Sequence, residues 1–244
     1  MIEQDLEIPS ADGPIPTFVT RPEEGGPHPT VIFFMDALGI REELKDMARR
    51  LGTVGYYVML PNLFWRFGGP SFDPLLLPSK GPDPEMMRLN TAYTHALCLA
   101  DTAALLAHAA ADPATRDPVG TVGYCMGGRH ALAAAGEFPD RVHAMVSLHA
   151  GFLVTDRPDS AHLKLTTTRA ACYFGIAADD PVCPPAHHAV LADEIARHRI
   201  DGRIEHYSEA LHGFTFPTRY CYHKPSAERS WERTFALFRR QLDK

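Results

Sequence analysis

The sequence predicts an α/β fold, a doubly wound and mostly parallel sheet with helices on both faces and an N-terminal hairpin. Short apolar runs alternate with helix-length segments along the chain, which is the pattern of consecutive β-α units. The run at 30–35 is continuously apolar, as expected of a central parallel strand that is covered on both faces. We find no repeat, low-complexity tract or linker, so we expect a single domain spanning residues 1–244.

The individual elements follow from local pattern. Residues 2–8 and 15–20 flank the turn Asp12-Gly13 and are predicted to pair as a hairpin, the first through its alternation of apolar and polar residues. The remaining strands are predicted at 30–35, 56–60, 119–122, 144–149, 171–176 and 204–207. Helices are predicted at 41–54, 84–111 (as one long helix or a broken one), 129–138, 184–198 and 227–242.

The segment 62–84 does not fit this alternation. It is rich in Pro and Gly, yet carries several large apolar side chains. Long loops inside compact domains are usually functional, which favours a lid or a pocket wall. The alternative is a surface excursion that packs on its own apolar residues, and the sequence leaves both interpretations open.

A strand-turn-helix junction at 121–128 is the most informative stretch of the chain. It contains Gly123-Tyr124-Cys125-Met126-Gly127, the nucleophile-elbow pattern with cysteine in the nucleophile position. Glycines relieve crowding in such a strained turn, and the start of the following helix favours a thiolate. The alternative is a buried structural cysteine beside a glycine turn. We interpret Cys125 as the nucleophile.

An acid and a histidine follow the elbow in the order that such a hydrolase needs. Asp179 and Asp180 stand at one strand end, and His212 follows the last strand. All of these positions fall at the carboxyl edge of the sheet, where active sites of open α/β sheets lie. We favour Asp180 over Asp179 as the acid because Asp180 precedes Pro181 and opens the turn into the next helix. His212 stands out among thirteen histidines by its position and the glycine beside it.

Net charge and cysteine content limit the kinds of binding partner and the cellular compartment that we expect for this protein. The net charge is −6 and the pI is near 6.1, which disfavours a nucleic-acid or anionic-membrane binder but allows a small anionic substrate. Five cysteines without a CxxC pair fit a reducing environment, and the acidic N-terminus lacks an apolar signal core. We expect a cytoplasmic protein without cofactor or metal, since no ligand pair has zinc spacing, and a monomer or small homo-oligomer.

Four motifs together resemble the dienelactone hydrolase family of α/β-hydrolases. They are Phe33–Ile40, the elbow Gly123–Gly128, Asp180–Pro184 and Ala210–Phe214, in the order that the family has them. The resemblance spans nearly the whole chain. It implies an α/β-hydrolase fold and a Cys-His-Asp triad that cleaves a lactone or ester of a small substrate through an acyl-enzyme, as a carboxymethylenebutenolidase-like enzyme does.

The resemblance also implies roles for residues around the triad. Asp36 stands where the family has a glutamate that pairs with the resting thiol, so we expect a neutral thiol before substrate binds; the alternative is that Asp36 only caps the helix at 41–54. The family's oxyanion hole corresponds to the backbone N–H groups of Ala37 and Met126.

The family's dienelactone hydrolase grips a carboxylate with two arginines. Arg88 lies near the first position. Phe216 occupies the second, with Arg219 further along the chain. The resemblance therefore implies that Arg88 and Phe216 contact the substrate and that one arginine of the pair is missing.

Three functional hypotheses therefore remain at this point. The first is an acyl-transfer hydrolase acting on a lactone, ester or thioester, which includes a thioesterase or general carboxylesterase. The second is a non-catalytic small-molecule-binding protein on a hydrolase scaffold, since a fold does not determine a function. The third is a metal site built from His and Cys. The set Cys125, Asp180 and His212 favours the first hypothesis.

Overall fold

The computed structural model describes residues 1–77 and 81–243, except for the side chain of Asp179. Its strands are β1 (Ile2–Ser10), β2 (Gly13–Arg21), β3 (His28–Phe34), β4 (Tyr57–Pro61), β5 (Thr115–Tyr124), β6 (Val142–Leu148), β7 (Ala171–Asp179) and β8 (Gly202–Leu211). They form an eight-stranded sheet in the order β1-β2-β4-β3-β5-β6-β7-β8. The strands from β3 to β8 run parallel, and the β1-β2 hairpin joins β4 antiparallel. This confirms the predicted α/β fold.

The helices are α1 (Glu42–Thr53), α2 (Pro84–Ala92), α3 (His95–Ala111), α4 (Met126–Glu137), α5 (Pro185–Arg197) and α6 (Lys224–Leu242). Short 3-10 turns occur at Trp65–Phe67, Pro74–Leu76 and Ala161–Thr166. The segment predicted as helix at 84–111 is two helices. The break falls at Tyr93 and Thr94, where the Thr94 hydroxyl accepts the N–H of Leu97 and so begins α3.

Two neighbouring residues of β5 show that helices cover both faces of the sheet. A Cβ added at Gly120 would strike Leu242 and Phe238 of α6, whereas the hydroxyl of Thr121 donates to a carbonyl of α4. Successive residues of a strand point to opposite faces, so α6 and α4 lie on opposite sides. An ion pair between Arg50 and Glu228 joins α1 to α6 on the first side.

The centre of the sheet is the core of the molecule. Every residue of β3 is buried, as expected for a parallel strand covered on both faces. The predicted strands are mostly shorter than the observed ones because polar residues at the strand ends still pair in the ladder. For example, β7 and β8 stay paired to Asp179 and Leu211, beyond the ends predicted at 176 and 207.

The segment 62–84 packs inward where the structure describes it. Leu63 and Phe64 are fully buried, and the N–H of Phe72 donates to the carbonyl of Leu38 in the loop after β3. The segment therefore lies against the loop that follows β3 at the carboxyl edge of the sheet. Residues 78–80, in its second half, lie outside the described part of the chain.

Candidate active site

The elbow holds Cys125 in a conformation that side chains rarely adopt. Cys125 has φ 53° and ψ −114°, between the end of β5 and the start of α4. A Cβ at Gly123 would lie 2.0 Å from the carbonyl oxygen of Gly127, and a Cβ at Gly127 would lie 2.1 Å from that of Phe34. Only glycine fits at either position. The close approach lets strand, turn and helix meet with the thiol at the strand ends.

A continuous hydrogen-bonded chain links Cys125 to His212 and Asp180. His212 Nε2 lies 3.1 Å from Cys125 Sγ, and His212 Nδ1 lies 2.7 Å from Asp180 Oδ2. The Asp180 side chain is fully buried, and its second oxygen accepts the N–H of Val182, which fixes the carboxylate. The structure thus brings together the three residues that the sequence selected. The side chain of Asp179 is not among those described.

The electrostatics of the pair favour a thiolate and an imidazolium. Burial raises the pKa of the Cys125 thiol, but His212 and then Arg219 outweigh it, so the pKa is lowered from its ordinary value. Burial lowers the pKa of His212, but the charge of Cys125 and the hydrogen bond that His212 donates to Asp180 raise it to about 10. The two groups titrate together, so these directions belong to the pair. The neutral resting thiol that the family resemblance implies remains a prediction.

Asp36 is engaged by two arginines rather than by the thiol. Its side chain is fully buried; Oδ1 accepts Arg41 Nη1 at 2.6 Å, and Oδ2 accepts Arg219 Nη2 at 2.5 Å. The charge of Asp36 still opposes a thiolate at Cys125, while Arg219 favours one. Asp36 therefore acts on Cys125 together with the arginines that bind it. Its alternative role as a cap of α1 receives no support, since α1 begins after Arg41 without a side-chain cap.

Phe216 and Gly213 hold these arginines in place. The Phe216 ring is fully buried between the guanidinium groups of Arg41 and Arg219, whose carbons lie 5.0 and 4.6 Å from the ring centroid. Gly213 has φ +88°, and a Cβ there would come within 2.7 Å of Arg219 Nη1. The ring therefore presents no surface to a ligand in the free chain. Its part in substrate binding, expected from the family alignment, remains a prediction.

Arg88 lies at the surface of α2. Its side chain is 57% exposed and pairs with Glu85 of the same helix, with 2.6 Å between Nη2 and Oε1. It does not line the cavity beside the elbow, although its neighbours Met87 and Asn90 do. Its predicted role in gripping a substrate carboxylate therefore remains untested.

The two oxyanion-hole candidates lie where two segments converge. Met126 is the first residue of α4, so its N–H belongs to the helix's initial donors that no helical carbonyl accepts. Ala37 lies in the turn after β3, where the N–H of Gly39 donates to the carbonyl of Asp36. The close approach of Gly127 to Phe34 and Met35 joins α4 to the end of β3 and so brings the two candidates to one edge of the site.

His149 is a neighbour of the site that the sequence did not single out. It follows β6 with φ 37°, its Nε2 lies 2.7 Å from the hydroxyl of Thr215, and its ring stands edge-on to His212 with centroids 5.3 Å apart. Burial, and then the charge of His212, hold the pKa of His149 well below its ordinary value. It is therefore a neutral wall for the His212 ring. The only hint in the sequence was its position at a strand end.

The family model of the "Dienelactone hydrolase family" matches residues 15–242, nearly the whole chain. The chain belongs to this family. It is therefore a hydrolase of the α/β-hydrolase fold, as the order of its motifs predicted. Among the described residues, no group of three or more His, Cys, Asp or Glu side chains is placed to hold a metal ion. None of the described helices is long and apolar enough to cross a membrane.

Relatives and solved structures of the same family resemble the chain over most of its length. A protein of Methylorubrum extorquens named "Putative carboxymethylenebutenolidase" is 29% identical over 255 residues, covering 98% of this chain and 81% of the relative. A protein of Escherichia coli with the same name is 27% identical, covering 95% and 84%. The crystal structure of a "Putative Dienelactone Hydrolase" from Klebsiella pneumoniae superposes with a TM-score of 0.87 at 26% identity, covering 97% of this chain and 98% of that one.

Proposed function

We propose that this protein hydrolyses small lactones or esters through a Cys125-His212-Asp180 triad and an acyl-enzyme intermediate. The observation that carries the proposal is the hydrogen-bonded chain from Asp180 through His212 to the Cys125 sulfur. A thiol bonded to an imidazole that a buried carboxylate orients is the general arrangement of an activated nucleophile. The family to which the chain belongs and the names of its relatives support the same reaction class.

The first half-reaction forms a thioester. The Cys125 thiolate attacks the ester carbonyl carbon, a C–S bond forms, and the carbonyl electron pair moves onto oxygen. The tetrahedral intermediate collapses, the C–O bond to the leaving group breaks, and protonated His212 gives its Nε2 proton to the departing alkoxide. For a lactone the leaving alkoxide remains part of the same acyl group. Asp180 holds the ring so that Nε2 faces the sulfur throughout.

The second half-reaction releases the acid. Neutral His212 takes a proton from water, and the resulting hydroxide oxygen attacks the thioester carbonyl. The C–S bond breaks, the carboxylic acid leaves, and the thiolate and imidazolium are restored. In both halves the N–H groups of Met126 and Ala37 would stabilise the negative oxygen. Such preorganised donors are usually a large electrostatic contribution to acyl transfer.

Replacement of the nucleophile tests this proposal. Turnover of a panel of 4-nitrophenyl esters and a small unsaturated lactone is measured for the wild type, Cys125→Ala and Cys98→Ala. We expect Cys125→Ala to lose essentially all turnover, because no other group can form the thioester. Cys98 is fully buried on α3, and burial raises the pKa of its thiol to about 12, so Cys98→Ala controls for loss of an unreactive cysteine.

Mass spectrometry of the wild type with a slowly hydrolysed ester supplies the second readout. We expect an adduct of acyl mass on the peptide that contains Cys125. Full activity of Cys125→Ala would reject the mechanism. A wild type that binds these esters without cleaving any of them would favour the alternative of a non-catalytic binding protein.

A further inference from the structure

The end of β6 lies between the element that carries Cys125 and the loop that carries His212. On one side, the N–H of Cys125 donates to the carbonyl of Leu148, the last residue of β6, with 3.0 Å between nitrogen and oxygen. On the other side, His149 follows Leu148, and its ring stands edge-on to the His212 ring with 5.3 Å between the centroids. Two consecutive residues therefore contact the backbone of the nucleophile and the ring of the base.

His149 is also bonded to the loop of His212 through its side chain. Its Nε2 lies 2.7 Å from the hydroxyl oxygen of Thr215, which follows His212 in that loop. Both residues are buried, with 1% of His149 and 2% of Thr215 exposed. Because both groups are shielded from water, loss of either one would leave the other as a buried polar group without this hydrogen bond, which is unfavourable.

The surroundings of His149 would suit an apolar aromatic side chain equally well. The rings of Phe214 and Phe216 stand edge-on to it, with centroids 5.3 and 5.4 Å away, and the Tyr124 ring lies at 6.0 Å. Within the described part of the chain, the hydroxyl of Thr215 is the one hydrogen-bond partner of the imidazole, since Nδ1 has none. Packing alone gives no reason for a polar ring here. The bond to Thr215 is what distinguishes histidine from phenylalanine at this position.

The backbone of His149 adopts a conformation that is rare outside glycine. Its φ is 37°, while its N–H still donates to the carbonyl of Gly175 in β7 at 2.7 Å. Such a conformation is unfavourable and persists where surrounding contacts determine it, most often at functional sites. Here those contacts are the β7 ladder on the backbone and the loop of His212 on the side chain.

The His149 ring stays uncharged beside an imidazole that becomes charged. Its Nδ1 is buried without a partner, so a doubly protonated ring would carry a buried N–H without an acceptor. Burial, and then the charges of His212 and Arg219, hold the pKa of His149 well below its ordinary value. Tyr124, whose ring also packs against His149, stays neutral because burial raises the pKa of its phenol. His149 therefore supports His212 without repelling its positive form.

We propose that His149 and Thr215 are positioning residues, whose mutual hydrogen bond (the tether) holds His212 within reach of Cys125. The proposal rests on the proposed function, because it assigns both residues to the geometry of that triad. Asp180 orients the His212 ring from Nδ1, and the tether fixes the loop behind the ring to the end of β6, which also holds the backbone of Cys125. Catalytic geometry of this kind is sensitive to displacements of about 1 Å, so loss of the tether would slow the reaction without removing any reacting group.

Removal of the hydroxyl alone tests the tether. Thr215→Val keeps the shape of the side chain but loses the hydrogen bond, whereas Thr215→Ser keeps the hydroxyl. For an activated ester we expect Thr215→Val to lower kcat about 10-fold while KM changes no more than about twofold, and Thr215→Ser to retain most of kcat. Thr234→Val is the matched control, since Thr234 is also fully buried but its hydroxyl donates to the carbonyl of Ser230 within α6. We expect this control to leave kcat and KM unchanged.

A double-mutant cycle separates a tether from two independent packing defects. His149→Phe keeps an aromatic ring between Phe214 and Phe216 but cannot bond to Thr215. If the two residues act as a pair, His149→Phe/Thr215→Val should lose no more kcat than the more damaging single variant. Additive losses would overturn the proposal, and so would an equal loss in Thr234→Val. If Thr215→Val does not fold, a wild-type kcat in His149→Phe would overturn it as well.

The pH profile of Cys125 alkylation by iodoacetamide reports the same geometry without ester cleavage. His212 stabilises the thiolate, so a displaced imidazole should shift the Thr215→Val profile to higher pH by roughly 0.5–1 unit. An unshifted profile would mean that the bond serves packing only, and would overturn the proposal. A shifted profile with no cleavage of any ester by the wild type would leave the tether standing and reject the hydrolase. Ester cleavage by the wild type, with an unshifted profile and unchanged kcat in Thr215→Val, would do the reverse.

Discussion

The buried arginines on the two sides of Cys125 differ in whether a carboxylate pairs with them. On the β3 side, Arg41 and Arg219 share the buried carboxylate of Asp36, and the Phe216 ring fills the space between them. On the α4 side, Nη1 of Arg129 is buried without a hydrogen-bond partner, and no acidic side chain among the described residues pairs with Arg129. Only the first group has its counter-charge within the described part of the chain.

The two groups of arginines differ in what they contribute to the stability of the protein. A buried arginine whose carboxylate is present contributes to a fixed structure, and removing either partner exposes an uncompensated charge. A buried arginine without a carboxylate lowers the stability of the protein, because its charge is uncompensated. We therefore interpret the Asp36 cluster as a scaffold that sets the field at Cys125, and Arg129 as a buried charge that the described residues leave uncompensated.

The comparison of the two sides assumes that the thiol of Cys125, which lies between them, is the reacting group. Replacement of His212 is the strongest test of that assumption. We expect His212→Ala to lower kcat/KM for an activated ester about 10³- to 10⁴-fold, because the thiolate and the leaving group both depend on the imidazole. Asp180→Asn should lose a comparable amount or less, since it removes the partner that orients the ring.

Steady-state kinetics on one ester, together with circular dichroism to confirm folding, provide the measurement. Asp179→Asn is the matched control for the neighbouring acid. A silent Asp180→Asn beside a damaging Asp179→Asn would show that the acid was assigned to the wrong residue.

Much of the fold and the centre of the site followed from the sequence because their causes are local. Apolar runs specify buried strands, and Gly123 is required by a contact with Gly127, four residues further along the chain. The order of Cys125, Asp180 and His212 along the chain sufficed to select them, since parallel strands bring their carboxyl ends to one edge. For the strands, the elbow and the triad, residue spacing and position along the chain were therefore enough for the prediction.

The arginine partners could not be predicted in the same way. Asp36 meets Arg41 five residues away but Arg219 at a distance of 183 residues, and no local pattern specifies that contact. The sequence around Arg129 does carry a signal that this side chain is buried. Every residue from Met126 to Gly136 is buried in a helix of mostly small residues, so a cation in that run was bound to lie inside the protein. The absence of an acidic partner for Arg129 among the described residues could be seen only once the packing of α2 was known.

Stability measurements sharpen the contrast between the two groups. We expect Asp36→Ala to lower the free energy of unfolding by about 3–5 kcal/mol, because it leaves two buried guanidinium groups without their carboxylate. Arg129→Gln should cost much less, since it removes an unpaired buried charge while an amide can still reach Asn90. Urea unfolding of both variants provides the values, and equal losses would contradict the distinction between the paired and the unpaired arginines.

The smallest expected effect is on the titration of the thiol itself, measured as the rate of Cys125 alkylation by iodoacetamide against pH. The thiolate is the reactive form, and His212 and Arg219 lower the pKa of Cys125 against burial, so the wild type should react at lower pH than an ordinary cysteine. His212 is the main group that lowers the pKa of Cys125, so His212→Ala should shift the alkylation profile to higher pH. Asp36→Ala should shift it to lower pH, because the charge of Asp36 raises the pKa of the thiol. That shift should be the smaller one, since Arg41 and Arg219 already neutralise much of the carboxylate. Superimposable profiles for Asp36→Ala and the wild type would mean that Asp36 serves only to hold its two arginines.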